Sequence, residues 1–145
     1  EQDDPKGWEK YNAHYWLTNY ADFADFFFSR CFPEAHSTKQ REDCVGWAMG
    51  TRPEVLIAEA RADAVDHETL LAWCDRVASP VLVIHGDDDR ISPLSRAIRL
   101  AEVTGGDLVT LEGGGHIPLA RDPIIVNRLI KEFADRIGVR ERVQA

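Results

Sequence analysis

Three aspartates in a row, Asp87, Asp88 and Asp89, follow the apolar run VLVIHG, and His116 follows a second run, LVTLEGGG. A carboxylate beside an imidazole is a chemically useful pair. The carboxylate holds one ring nitrogen protonated and stabilises the imidazolium that forms when the other nitrogen takes a proton. That is the supporting half of a nucleophilic hydrolase site. Three buried, unpaired carboxylates side by side would be far too costly, so they cannot all be aimed at a partner. Short acceptors of this kind also suit solvated turns.

The elements on either side decide whether such a pair can meet. PVLVIHG is a short, β-branched, uninterrupted apolar run between Pro80 and Gly86, which predicts a strand over 80–85 buried on both faces. Residues 93–103 carry Leu94, Ala97, Ile98 and Ala101 on one helical stripe. A second strand is predicted over 107–111, with Gly105-Gly106 before it and Gly113, Gly114 and Gly115 after it. Asp122-Pro123 opens a long helix that Gly138 is expected to end, leaving a charged tail at 139–145. Strand, helix, strand, helix is the βαβα unit of a parallel sheet. Both loops that leave such strands emerge on the same edge, where open sheets bind ligands. Asp89 and His116 stand 27 positions apart, one helix, one strand and their turns.

The first half reads differently. Residues 8–78 give helical signals and no strand. Trp8, Tyr11, Tyr15 and Trp16 recur at helical spacing, Asn19 and Tyr20 read as a break, and Asp22 looks like an N-cap for the run holding Phe23, Phe26 and Phe27. Ser37 or Thr38 opens a helix that stops at Gly50, Pro53 suits a first helical turn, and Asp66 caps ETLLAWCDRV.

The strings VLVIHGDDDRISP and LEGGGHIPLARDP, followed by a closing helix, resemble the end of an α/β-hydrolase. In that family the acid stands third after a glycine behind the seventh strand, and the histidine follows the eighth strand after a small residue. The resemblance therefore implies that Asp89 and His116 are catalytic, with Asp87 and Asp88 left to shape the turn and face water. It covers residues 80–138 well. More loosely, residues 8–78 resemble the helical cap of epoxide-hydrolase-like and C–C-hydrolase-like members. The implied organisation is a cap over 1–78, the C-terminal βαβα portion of the parallel sheet over 79–138, and the tail. The first six strands would be absent from this chain. No G-x-S-x-G elbow and no oxyanion segment occurs, and Ser29, Ser37, Ser79, Ser92 and Ser95 lack the strand–turn–helix setting a nucleophile needs. By itself the chain is expected to be inactive. Within a complete enzyme it would act on an ester-like, C–C or epoxide-type small molecule, without cofactor or metal. Trp8, Tyr15, Trp16 and Phe27 are candidate substrate-lining residues, with core packing the alternative role for the same aromatics.

Composition narrows the setting. The 145 residues are 44% apolar and 29% charged, the balance of one globular domain. A net charge of −8 disfavours nucleic acid and anionic membrane. Cys31, Cys44 and Cys74 are widely spaced and odd in number, which points to thiols in a reducing, cytoplasmic compartment. Cys31, His36 and Cys44 lack the close pairs of a metal site. His14, His36 and His67 read as surface residues, and His85 as structural. Two parallel strands leave open edges, so the N-terminal part of the same enzyme or a second copy is expected to cover them. Two other classes fit parts of the pattern. One is a magnesium-dependent phosphatase of the haloacid-dehalogenase type, from the GDDD loop. The other is a non-catalytic interaction module of hydrolase-like fold.

Overall fold

The computed structural model describes residues 5–144, with side chains described to Gly138. Residues 1–4 and Ala145, at the two ends of the expected cap and tail, lie outside the described residues. The chain divides into two compact units, residues 1–64 and 65–145.

The first unit is helical. A 3-10 turn over Gly7–Lys10 leads into α1 (Ala13–Cys31), followed by α2 (Thr38–Ala48) and α3 (Pro53–Ala60). The spacing of Trp8 to Trp16 predicts one continuous helix, but Asn12 interrupts it. Its backbone is extended, and its side chain accepts the Tyr15 N–H at 2.9 Å, so α1 starts anew there. Asn12→Ala is expected to cost about 1 kcal/mol in urea unfolding of this unit, and an unchanged midpoint would refute the cap's role. The predicted break is present as a kink: Asn19 leaves the helical region at φ −140°, ψ 44° while the helix resumes beyond it. Asp22 is therefore not an N-cap. Its carboxylate accepts the Tyr15 hydroxyl at 2.7 Å and pairs with Lys10. Ser37 precedes α2 without a capping bond from its side chain.

Tyr15, Trp16 and Phe23 form the core of this unit, with Tyr20, Phe26, Phe27, Leu56 and Ile57 packed around them. Burying a ring of this size is worth ~1.5–3 kcal/mol. The edge and tilted ring pairs, Tyr11–Trp16 at 5.0 Å and Trp16–Phe23 at 5.3 Å, add to that.

The second unit contains α4 (His67–Asp75), β1 (Leu82–Gly86), α5 (Leu94–Thr104), β2 (Asp107–Leu111), the short α6 (Pro118–Arg121) and α7 (Pro123–Gln144). Helix α4, grouped by sequence with the first segment, packs on α5 in this unit. Asp66 caps it as expected, accepting the Thr69 N–H at 2.9 Å. The two strands are parallel neighbours, in register from Leu82 opposite Asp107 to Gly86 opposite Leu111. Val83, Ala97 and Ala101 form the core, with Val81, Leu94 and Leu108 against it. β1 is less enclosed than a strand buried on both faces: only Val83 and Gly86 along it are buried. The two strands have no further sheet neighbour among the described residues. Gly105 ends α5 in the left-handed region (φ 62°), and the Gly106 N–H reaches back to the Ala101 carbonyl.

Helix α7 does not stop at Gly138. The backbone continues as helix to Gln144, so the tail to that point belongs to α7. One interior glycine costs only about 1 kcal/mol, and the sequence on both sides is rich in strong helix formers.

Candidate active site

The strand β1 delivers the chain to Gly86, and the turn 87–93 begins there. A Cβ on Gly86 would lie 2.1 Å from the Gly114 carbonyl oxygen and 2.6 Å from that of Gly115. Only a glycine lets the two loops touch at this point. They are then stitched together. The Asp87 N–H donates to the Leu111 carbonyl at 3.1 Å and the Asp88 N–H to the Gly114 carbonyl at 3.0 Å. The Gly113 N–H donates to Asp87 Oδ1 at 2.6 Å, with Gly113 in the left-handed region (φ 66°).

The three aspartates have three different fates. Asp87 is exposed, but its carboxylate braces the loop ahead of His116 and so does more than face water. Asp88 turns to solvent and pairs with Arg90 at 2.9 Å. Asp89 turns inward, its side chain 2% exposed. One oxygen, Oδ1, accepts the Ile91 and Ser92 N–H groups at 2.8 and 2.9 Å. The other, Oδ2, lies 2.9 Å from His116 Nδ1. An ionised carboxylate can only accept, so Nδ1 carries the proton and Nε2 presents a lone pair that can take another.

Burial pushes the Asp89 pKa up, but the hydrogen bonds from Ser92, His116 and Ile91 outweigh it and hold the carboxyl below its ordinary value. A folded-state pKa below the unfolded one adds stability that is present above about pH 4. That stability is lost as pH falls through the folded value. Urea titrations should therefore show the advantage of the wild type over Asp89→Asn narrowing as pH drops below 4. A difference constant across that range would refute the charged, bonded carboxylate.

Of the candidate site residues, Asp89 and His116 come together. The four aromatics lie in the first unit. Tyr15 and Trp16 are in its core, Phe27 packs against that core, and Trp8 stands 49% exposed with its ring edge-on to Phe26. His14, His36 and His67 are exposed. Among the described residues no group of three or more His, Cys, Asp or Glu side chains could hold a metal ion. No described helix is long and apolar enough to cross a membrane. Sequence reasoning missed the bond from Gly113 to Asp87. A signal was available, since Asp87 directly follows the last paired residue of β1, opposite the start of the glycine loop.

No family model matches this chain, and no curated protein matches it. Among solved structures it is similar to the crystal structure of an esterase, RhEst1, from Rhodococcus sp. ECU1013. The two share 24% sequence identity at a TM-score of 0.67, over 78% of this chain and 40% of the esterase. The chain thus shares the fold of part of that esterase and spans two fifths of its length.

Proposed function

We infer that this chain carries the acid and the base of an α/β-hydrolase active site. Asp89 orients His116, and His116 Nε2 takes the proton of a nucleophile as that nucleophile attacks the substrate. The proton then passes to the leaving group, and the freed Nε2 draws another from the water that completes hydrolysis; a carboxylate nucleophile has no proton to give, and there His116 acts only on that water. One observation carries the reading: a carboxylate 2% exposed, 2.9 Å from the nitrogen that fixes the histidine's working tautomer. The nucleophile and the oxyanion donors lie outside residues 1–145, in the N-terminal part of the same enzyme. That part also pairs with the open edge of the two-stranded sheet, or a second copy does.

The substrate is a small molecule with an ester-like, C–C or epoxide bond, and the likeness to RhEst1 favours the ester. The helical segment serves as the lid, with Trp8 the candidate aromatic that keeps the most open surface. The odd number and wide spacing of Cys31, Cys44 and Cys74 favour a reducing, cytoplasmic setting. The aspartate partners favour this reading over the phosphatase. Asp87, Asp88 and Asp89 are committed to Gly113, Arg90 and His116 and do not converge on one point.

Incubated alone with p-nitrophenyl butyrate, the chain should give no turnover above buffer. The protein expressed from the full coding sequence should hydrolyse that ester, a β-diketone or an epoxide. Failure on all three classes overturns the proposal.

A further inference from the structure

We propose that His85 is a positioning residue for the Asp89–His116 pair, acting through the backbone carbonyl of Ser92. This rests on reading those two residues as the acid and base. His85 sits on β1, in register with Thr110, so its ring is anchored on the sheet while the acid it serves sits in a turn. Its Nε2 lies 3.0 Å from the Ser92 carbonyl oxygen. A carbonyl can only accept, so Nε2 must carry a hydrogen and Nδ1 is the bare nitrogen of the neutral ring. The same Nε2 lies 3.4 Å from Asp89 Oδ2, the oxygen that His116 uses.

These contacts form a chain of bonds. His85 holds the Ser92 carbonyl, and the Ser92 N–H holds Asp89 Oδ1 at 2.9 Å. With Oδ1 tied to the turn, Oδ2 is left facing His116 at 2.9 Å. The Ile91 N–H accompanies that of Ser92 on Oδ1 at 2.8 Å, and the next residue, Pro93, has no N–H to add. His85 keeps 15% of its side chain exposed, so a filled apolar slot alone does not explain a ring nitrogen aimed at the turn. Its role is to keep the acid's carboxylate in one orientation.

The test uses nuclear magnetic resonance on the whole chain, with His85→Phe and His85→Gln. In the wild type, His85 should be the Nε2–H tautomer, and His116 should show a protected Nδ1–H. In His85→Phe that Nδ1–H should exchange with solvent about tenfold faster, as should the Ser92 amide, the effect of losing one hydrogen bond. Amides of β1 and β2 should stay protected. His85→Gln, which restores an N–H donor at nearly the same place, should bring both rates back. A wild-type His85 in the Nδ1–H form overturns the proposal whether or not the phenylalanine variant folds. So does a His85→Phe chain whose His116 and Ser92 rates match the wild type. A wild type with no protected Nδ1–H on His116 overturns the acid–base reading itself, and this inference with it.

Discussion

With Asp89 and His116 as the proposed acid and base, His116→Ala in the protein expressed from the full coding sequence should lower kcat by roughly 10³–10⁴-fold while KM changes little. The reason is differential. The imidazole contributes when the proton moves, so its loss removes stabilisation from the transition state and not from the bound substrate. Asp89→Asn should cost a similar amount by another route. The amide presents an N–H as well as an oxygen to His116, and it lets the ring settle with Nδ1 bare and Nε2 protonated, the wrong tautomer for a base. Because the two residues act as one unit, the double variant should be little worse than either single one. Asp88→Asn, which touches only an exposed pair with Arg90, should leave turnover near the wild type. Steady-state kinetics on one ester across this set decides the matter. Undiminished kcat in a folded His116→Ala enzyme would end the assignment.

Gly86→Ala should unfold the second unit at markedly lower urea, by about 1–3 kcal/mol or more. The added methyl would meet the Gly114 carbonyl oxygen at 2.1 Å and its carbon at 2.3 Å, distances that require movement. The obstacle is backbone, and it is tied down: Gly114 accepts from the Asp88 N–H and donates to Leu111. To make room, the glycine loop must separate from the aspartate turn, and His116 departs with it. The protected His116 Nδ1–H should therefore disappear together with the stability. Gly46→Ala offers the opposite sign. That glycine lies inside α2, and a Cβ there meets nothing within 4 Å, so alanine should stabilise the helix by about 0.5–1 kcal/mol. A Gly86→Ala protein that melts with the wild type would show that the loops do not need this contact.

Residue type and spacing alone determined the elements with strong local punctuation. The β-branched run before Gly86 became β1, the glycine-bounded DLVTL became β2, and Pro53 and Asp66 opened helices where their backbone chemistry requires. Propensity and capping act over a few residues, so a reader of the chain can see them. The order strand, helix, strand likewise sufficed to bring one carboxylate loop and one histidine loop to the same edge.

Tertiary structure decided the rest, because the deciding partners are distant in sequence or the competing local terms are nearly balanced. Helix α1 runs on through the kink at Asn19, and α7 runs on through Gly138, where a local penalty of about 1 kcal/mol is too small to break a helix. The division of labour among Asp87, Asp88 and Asp89 depends on which way each side chain points once β1 and β2 pair. Adjacent residues of one type become a loop brace, a surface ion pair and a buried acid. His85 and Ser92, seven positions apart, meet only because the turn after β1 folds back over the strand's end. Sequence determined which residues could perform the chemistry; the pairing of two strands decided which of them can reach each other.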